Sequence, residues 1–486
     1  MFVSLYASRV VLQTLGVEDF GIYNIVGGVV VLFTFINAAM SSGTQRHLSY
    51  ELGKPNCGNI AQVFSACLHI HGWLALIILL LAETIGLWFL NTHMNFPAER
   101  MDVVNWVYQL SILSCFVSII RVPYQAVIIA YERMSFYAYT GIIEATLKLA
   151  IVYVLLIFAV DKLLLYACLT LLVTLVMTIA LIWFCHHSFK QIRLVRVHNN
   201  SLYKRLVSFS GWAMFGSVAN LGLQQGINII INIFYGVALN AAVGIANQVN
   251  SAVMQFVSGF QQALNPQLVK SEAEGDRMRQ FQLICISSKF SFFIMLIIAF
   301  PLLLNLDYVL SFWLGEYPPH TNTICGVIII GALIECLSGP LWVSIFATGN
   351  IRTYQIVISI ILLLNIPFSY LGGQLCMSPE GMYIIRNVIY VIAFVTRLTF
   401  LKRMIALPIL EFMKMVLIPI LKTLCMLAIP TALYRFGIFA FADNFLALVW
   451  QSALWVVYGA QVIYFVGLSA NERNYFFTIL KKKFRR

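Results

Sequence analysis

Charged residues are scarce in this sequence. Only 10% of its 486 residues are Asp, Glu, Lys or Arg, whereas 61% are hydrophobic, and the mean hydropathy is +0.87. A soluble protein of this length does not bury so much apolar surface, so the soluble classes are excluded. Apolar windows long enough to cross a bilayer, which takes about 20 residues, recur from end to end. An outer-membrane barrel would instead show alternating segments of about ten residues.

Several sequence motifs are also missing, and each absence argues against a class of protein. There is no Walker A lysine motif, no HExxH and no GxSxG, so no ATPase domain or hydrolytic site is expected. The ten cysteines form no CxxC pair and no cluster with histidine, and we interpret them as small apolar residues in helices. The segments between the apolar windows are short. We therefore expect a transporter rather than an enzyme, with no resident cofactor and no metal.

Fourteen apolar windows are predicted to be membrane helices, which makes the chain an all-α polytopic membrane protein. The first, at 1–15, is too short to cross a bilayer alone at about 1.5 Å per residue, so we expect the first helix to be incomplete. The other windows lie at 20–45, 63–91, 105–130, 137–160, 163–185, 206–234, 240–262, 281–304, 322–346, 355–373, 381–401, 412–434 and 445–468.

Basic residues are concentrated in one alternate set of loops. This set includes the segment 186–205 and the C-terminal run of lysines and arginines at 481–486, whereas the opposite set carries only Arg100, Lys162 and Arg435. Because positively charged loops stay in the cytoplasm, both termini are predicted to be cytoplasmic. The net charge of +12 therefore reflects topology and contact with lipid headgroups rather than nucleic-acid binding.

The two halves of the sequence show a weak internal repeat. The segment 123–130 matches 340–347, each begins with proline, and a tyrosine follows each at the same distance. Two shorter matches occur in the same order, and together they predict two pseudo-symmetric six-helix lobes related by an axis along the membrane normal. The predicted domains are an N-terminal lobe at 1–185, a basic linker at 186–205, a C-terminal lobe at 206–401, two additional helices at 402–470 and a basic tail at 471–486.

Three charged residues are predicted to lie together near the middle of the membrane. Arg121, Glu144 and Lys148 fall at a similar depth in consecutive spans, and Glu144 and Lys148 are i, i+4 neighbours on one helix face. A charge in hydrocarbon costs at least a few kcal/mol unless it faces a partner or a wet cavity. Since one glutamate cannot neutralise two cations, the trio is either a site for an anionic substrate or a structural cluster that holds two helices together.

The other charges inside the predicted spans add to a net positive interior. Arg386, Arg397 and Glu83 lie near span ends, where their side chains can reach the interface. Glu335, in the tenth span, is the candidate for coupling transport to an ion, either H⁺ or Na⁺. Lys289 is left without an assigned role.

Amide side chains form a stripe in the seventh predicted span. Asn220, Gln224, Asn228 and Asn232 recur every four residues, and Asn24 adds an amide to the second span. Amides in a membrane need hydrogen-bonding partners, which other helices can supply. They also recognise hydroxyl groups as donor and acceptor at once, which suits carbohydrate. Both interpretations are retained.

Segment 8–24, Ser-Arg-Val-Val-Leu-Gln-Thr-Leu-Gly-Val-Glu-Asp-Phe-Gly-Ile-Tyr-Asn, resembles the opening of bacterial polysaccharide-biosynthesis membrane proteins, the Wzx-type flippases. Their first helix typically ends in an arginine, here Arg9, followed by Leu-Gly, an acidic residue and Phe-Gly-hydrophobic-Tyr. The match continues through segment 44–49, Thr-Gln-Arg-His-Leu-Ser, and segment 130–137, Ala-Tyr-Glu-Arg-Met-Ser-Phe-Tyr. The resemblance covers essentially the whole chain.

The resemblance implies the fold of the multidrug/oligosaccharidyl-lipid/polysaccharide exporter (MOP) superfamily, in which two lobes enclose a cavity that opens alternately to each side. It implies an anionic substrate, an undecaprenyl-diphosphate-linked oligosaccharide that crosses the bacterial cytoplasmic membrane for surface polysaccharide synthesis. Arg9, Arg121 and Lys148 would contact the diphosphate or acidic sugars. Membrane lipids and other polysaccharide-assembly proteins are the further partners implied.

Three other functions are retained as alternatives. A cation-coupled multidrug extruder of the same fold would favour acidic cavity residues. A polymerase or ligase would need a large extracytoplasmic loop. A membrane scaffold would need neither feature. The substrate-binding candidates are Arg9, Asn24, Arg121, Glu144, Lys148, Asn220, Gln224 and Asn228.

Overall fold

The computed structural model describes residues 14–15, 19, 22–23, 34–55, 58–93, 98–157, 161–435, 444–470 and 472–474. These residues are almost entirely helical and include no strand, and eleven of their helices are long and apolar enough to cross a membrane. The all-α multi-pass membrane fold predicted from the sequence is therefore confirmed. The chain divides into two compact units, Met1–Ser217 and Val218–Arg486, called lobe 1 and lobe 2 below.

Lobe 1 is built around helix α3, the most buried of its candidate spans. Helices α1, α2 and α5 pack against α3, and α4 packs against α5 and α3. Apolar side chains such as Trp73, Ile77 and Leu80 on α2 are exposed, which suits a surface facing hydrocarbon. The described helices are α1 (Thr34–Leu52), α2 (Ile60–Leu81, continued by a π-helical turn at Ala82–Gly86 and by Leu87–His93), α3 (Met101–Ala130), α4 (Met134–Ile157) and α5 (Lys162–Ser188).

Helix α6 (Asn200–Tyr235) crosses from the first unit into the second, and its part from Val218 onward belongs to lobe 2. Lobe 2 is built around α10, the most buried of the candidate spans, which packs against α7, α8 and α13. The lobe-2 helices are α7 (Val237–Glu274), α8 (Arg277–Leu304), α9 (Leu306–Leu314), α10 (Thr321–Thr348), α11 (Arg352–Leu363), α12 (Asn365–Gln374), α13 (Pro379–Ile405), α14 (Ile409–Phe412, a π-helical turn at Met413–Leu417, and Ile418–Arg435) and α15 (Phe445–Val462, with a π-helical turn at Ile463–Gly467).

Twelve of the predicted windows coincide with helices of the described chain, most of them within a few residues at each end, although α7 runs twelve residues beyond its window. The windows 1–15 and 20–45 fall largely outside the described residues. Helix α7 is the one matching helix that is too polar to qualify as a candidate span by composition, because it carries several amides along its length. It is joined to α8 by a tight turn at Gly275, whose φ of 74° favours glycine. The predicted domain limits stay a prediction.

A proline inside α10 frees a backbone carbonyl, and a neighbouring helix binds it. Pro340 has no N–H to donate to the carbonyl of Cys336 four residues earlier. The Gln261 side chain of α7 donates to that carbonyl at 2.9 Å and also to the Ser291 hydroxyl at 3.0 Å. This bond satisfies in the lobe interior a group that water cannot reach. Gly339 makes the approach possible, because an added Cβ there would lie 2.5 Å from Gln261 Oε1.

Candidate functional site

The lobe-1 charge cluster consists of Arg121 on α3 and Glu144 and Lys148 on α4. Arg121 Nη1 donates to Glu144 Oε2 at 3.2 Å, and Lys148 Nζ donates to Glu144 Oε1 at 2.8 Å. The carboxylate thus uses one oxygen for each cation. The i, i+4 spacing on α4 brings Glu144 and Lys148 together, and the packing of α4 against α3 adds Arg121.

The lobe-1 charge cluster keeps one positive charge in excess, since two cations share one carboxylate. Its members are unequally covered, because the Arg121, Glu144 and Lys148 side chains are 15%, 22% and 52% exposed. The Lys148 ammonium therefore projects from the edge of the cluster, while Arg121 is largely enclosed. Of the other predicted substrate contacts in this half of the sequence, Arg9 and Asn24 lie outside the described residues.

Lobe 2 contains a cavity of about 230 Å³, called the lobe-2 cavity, which is lined by α6, α7, α10 and α13. Most of its lining is polar, although the helices around it are apolar overall. The lining residues are Gln224, Gln225, Ile227, Asn228, Asn247, Asn250, Ser251, Ile328, Ala332, Glu335, Tyr383, Arg386 and Tyr390.

The amide stripe of α6 forms one wall of the lobe-2 cavity. Gln224 and Asn228 line it directly, and Gln224 donates to the Asn220 side chain at 3.2 Å. Asn228 donates to the neighbouring Gln225 at 3.2 Å. The structure therefore brings two of the three predicted α6 residues into the lining and places Asn220 next to it. Helix α7 contributes Asn250, whose buried Oδ1 has no hydrogen-bond partner among the described residues.

Arg386 lies near the start of α13, as predicted, but it is buried in lobe 2, so the prediction that its side chain reaches the interface is wrong. The residue is only 7% exposed. Its guanidinium carbon lies 4.7 Å from the Tyr383 ring centre and 5.5 Å from the Tyr390 ring centre. These tyrosines lie three residues before and four residues after Arg386, so all three share one face of α13. The two rings cover the guanidinium charge, which was expected to be solvated at the membrane–water interface.

A hydrogen bond between α13 and α10 fixes the position of Arg386. The adjacent Asn387 donates through Nδ2 to the Val327 carbonyl at 2.9 Å. Gly331 leaves room for this contact, because an added Cβ there would collide with Asn387 Oδ1. Even so, the Arg386 Nε is buried without a hydrogen-bond partner in the part of the chain that the structure describes. This atom is an unsatisfied donor that is closed to water.

Glu335 lines the same cavity from α10. Within the described ranges, neither Glu335 nor Arg386 has an oppositely charged group within ion-pair distance, even though both line this cavity. The role of Glu335 in ion coupling stays a prediction.

A separate buried cation in lobe 2 is fully paired. The Lys289 side chain on α8 is 4% exposed, and its Nζ lies 2.6 Å from Glu472 Oε1. Glu472 follows α15 and also accepts hydrogen bonds from the Ser469 N–H and hydroxyl, both at 2.8 Å. Burial alone would raise the pKa of Glu472, but the bonds from Lys289 and Ser469 outweigh it and hold this pKa below its usual range.

The sequence prediction missed Arg386, Tyr383, Tyr390 and Asn250 as members of one site. Their signal is in the sequence, since the tyrosines flank Arg386 at helical spacing and Asn250 belongs to an amide-rich window. What the sequence does not specify is which faces of α6, α7, α10 and α13 point at one another. The cavity exists only where those four faces meet.

Solved membrane transporters share this fold. A multidrug resistance MATE family transporter of the MOP superfamily, in an outward-facing conformation, matches with a TM-score of 0.72 at 12% identity, covering 83% of this chain and 92% of that one. The bent form of the Vibrio cholerae MATE transporter VcmN matches with a TM-score of 0.72 at 15% identity, covering 85% and 95%. A MOP superfamily transporter from Pyrococcus furiosus, described as having a binding pocket of reverse polarity, matches with a TM-score of 0.69 at 13% identity, covering 83% and 92%.

The fold is therefore that of a multi-pass MOP superfamily transporter. The sequence narrows this class, because residues 11–317 match the family of polysaccharide biosynthesis proteins. The chain belongs to that family, and the resemblance described above is confirmed. No curated protein matches the sequence significantly. The family and the fold together support a membrane transporter or flippase.

Proposed function

We propose that this protein is a flippase that moves an undecaprenyl-diphosphate-linked oligosaccharide across the bacterial cytoplasmic membrane by alternating access. Its product would feed the synthesis of a surface polysaccharide such as O-antigen, capsule or exopolysaccharide. Both termini lie in the cytoplasm under this proposal, which places the basic loops on the side that the positive-inside rule requires.

The observation that carries this proposal is the lobe-1 charge cluster. Arg121 and Lys148 share the single carboxylate of Glu144, so the cluster holds one positive charge in excess within membrane-spanning helices. A lysine at this depth does not face hydrocarbon without a large cost, so the half-exposed Lys148 faces water or substrate. A diphosphate supplies the missing negative charge and accepts several charge-assisted hydrogen bonds at once.

The lobe-2 cavity supports the same proposal from the sugar side of the substrate. Its amides offer donors and acceptors together, as hydroxyl-rich ligands require. An apolar drug would leave these amides unsatisfied. The lipid tail would stay in the bilayer while the polar head group passes between the two leaflets.

Net movement in one direction needs a source of free energy. A substrate shifts the balance between inward-open and outward-open states only through its different affinity for each. Either a coupling ion, H⁺ or Na⁺, or removal of the product by other polysaccharide-assembly proteins would drive the cycle. Polymerase or ligase activity is not part of this proposal.

The test is a flipping assay with the full chain in proteoliposomes, using undecaprenyl-diphosphate-linked oligosaccharide as the probe. The Arg121→Ala variant is expected to lose most of the flipping rate while reaching the membrane in normal amount. Arg121→Lys keeps the charge and should retain part of the rate. Arg397→Ala removes a cation that binds Tyr354 away from both sites, at an Nε to hydroxyl distance of 3.1 Å, and serves as the control.

Two results would overturn the proposal. One is wild-type protein that flips no lipid-linked oligosaccharide but extrudes cationic drugs, which would make the chain a multidrug extruder. The other is an Arg121→Ala variant that reaches the membrane and flips at the wild-type rate, which would reduce the lobe-1 charge cluster to a structural element.

A further inference from the structure

The lobe-2 cavity holds a carboxylate and a guanidinium that do not neutralise each other. Glu335 and Arg386 line the same 230 Å³ space, yet no ion pair joins them. A simple cation bound at Glu335 would be repelled by Arg386, and a simple anion bound at Arg386 would be repelled by Glu335. The ligand that suits both must donate to a carboxylate and accept from a guanidinium. Hydroxyl groups do both.

The rest of the cavity wall favours the same chemistry. Helices α6 and α7 contribute the amides of Gln224, Asn228 and Asn247, each of which carries a donor and an acceptor. A ligand with both kinds of group can satisfy such a wall, whereas a ligand with only one kind leaves part of it unsatisfied. Tyr383 and Tyr390 border the cavity, but their rings are buried and pack on the Arg386 guanidinium, so polar groups dominate the accessible wall. Hydroxyl groups arranged around a ring, as in a sugar, match such a wall.

The size of the cavity limits the ligand. At about 230 Å³, the cavity lies below the roughly 300–1,000 Å³ that is typical of sites for drug-sized ligands. Its size therefore suits a small ligand such as one sugar ring. Filling the space with a single bare ion would leave most of the wall unsatisfied.

We propose that the lobe-2 cavity is a binding site for one uncharged sugar ring, in which Glu335 accepts hydrogen bonds from ring hydroxyls and Arg386 donates to them. Glu335 is then a sugar ligand, in place of the ion-coupling role that its position in the sequence first indicated. The identity of the sugar as part of a lipid-linked glycan rests on the proposed function. Binding of the ring itself does not, so the two can fail separately.

The experiment is saturation-transfer difference NMR on the full chain in lipid nanodiscs. The probes are methyl glycosides of neutral hexoses, 6-deoxyhexoses and N-acetylhexosamines, with the methyl glycoside of a uronic acid as the charged comparison. At least one neutral glycoside should bind, and it should bind more tightly than the uronic acid. Glu335→Gln and Arg386→Gln should each weaken it by about tenfold or more, the loss expected for one charge-assisted hydrogen bond. Arg397→Gln, on the same helix but outside the cavity, should bind normally.

A cavity-filling variant distinguishes loss of the binding site from loss of folding. Ala332 lines the cavity, so Ala332→Leu enlarges a side chain of its wall without removing a polar atom. It should keep the wild-type melting temperature and lose glycoside binding.

Three results would overturn the inference. They are no binding of any neutral glycoside by the wild type, binding that survives in a folded Ala332→Leu variant, or Glu335-dependent Na⁺ binding seen by sodium NMR without any glycoside signal. A protein that binds the glycoside but flips no lipid would refute the proposed function and leave this site standing.

Discussion

The two lobes treat buried charge in different ways. In lobe 1, Glu144 contacts both Arg121 and Lys148, and the charges stabilise one another. In lobe 2, Glu335 and Arg386 line one cavity, and neither has an oppositely charged neighbour in the described part of the chain. The lobe-1 charge cluster lacks one negative charge to be neutral. In the lobe-2 cavity, both the carboxylate and the guanidinium lack an ion-pair partner.

The paired lysine of lobe 2 shows that this difference is local. Lys289 is more deeply buried than Arg121, and it has a carboxylate at 2.6 Å. Lobe 2 therefore also contains a buried cation with an ion-pair partner, and that pair joins α8 to the segment after α15. Unpaired charges confined to a polar cavity indicate that something other than the protein completes them. Five substitutions, one of them a control, and one pH series test that distinction.

The largest effect on stability is expected from Glu472→Gln. It leaves Lys289 buried without its partner, which should lower the free energy of unfolding by about 2–3 kcal/mol, somewhat less than for a fully buried pair because Glu472 keeps 20% exposure. Thermal unfolding of purified protein in detergent measures this. Glu274→Gln is the matched control, since its pair with Arg279 is exposed on both sides and should contribute well under about 1 kcal/mol. Equal effects would show that the Lys289 pair is not structural.

The same pair predicts a pH dependence. The pKa of Glu472 is lowered on folding, so its stabilisation is fully present above the ordinary value of 4.5 and is lost as the pH falls below it through the folded-state pKa. The difference in melting temperature between wild type and Glu472→Gln should therefore be constant near neutral pH and shrink below about pH 4.5. A difference that grows on acidification would contradict the sign of the shift.

Glu144→Gln and Glu335→Gln compare the two lobes directly. Loss of the Glu144 charge leaves Arg121 and Lys148 unneutralised and should lower stability by about 1–2 kcal/mol. Loss of the Glu335 charge breaks no ion pair and should change stability by less than about 0.5 kcal/mol. Unfolding in detergent measures both. Two equal losses would remove the distinction between the lobes.

Lys148→Met should also have only a small effect on stability. The lysine is 52% exposed, and exposed pairs contribute about 0–1 kcal/mol. The variant should melt close to the wild type but flip lipid-linked oligosaccharide more slowly, because the excess positive charge of the cluster is gone. A variant that melts normally and flips at the wild-type rate would assign the excess charge no role in transport.

Much of the fold follows from the sequence because membrane helices are signalled by apolar length. The twelve matching windows were found this way, including that of α7, although its amides lower its apolar character. The pairing of Glu144 with Lys148 was also accessible, because an i, i+4 spacing fixes two side chains on one helix face.

The rest depends on contacts between distant segments. Lys289 and Glu472 are far apart in the chain, and no local pattern connects them. Arg386 was misplaced because counting residues from a span end measures depth and ignores neighbours, whereas Tyr383 and Tyr390 enclose the guanidinium. The lobe-2 cavity requires four helix faces to converge, and periodicity within each helix says nothing about that convergence.

The bond that fastens α7 to the proline of α10 makes two distant positions depend on each other. The Gln261 amide reaches the Cys336 carbonyl only because residue 339 has no side chain, and it is needed only because residue 340 is proline. A methyl group at 339 would displace the Gln261 amide from the Cys336 carbonyl, so a relative that gains alanine there should bind this carbonyl differently or lack the proline. In evolutionary terms, residues 261, 339 and 340 should change together or not at all, in the turn of α10 that directly follows Glu335.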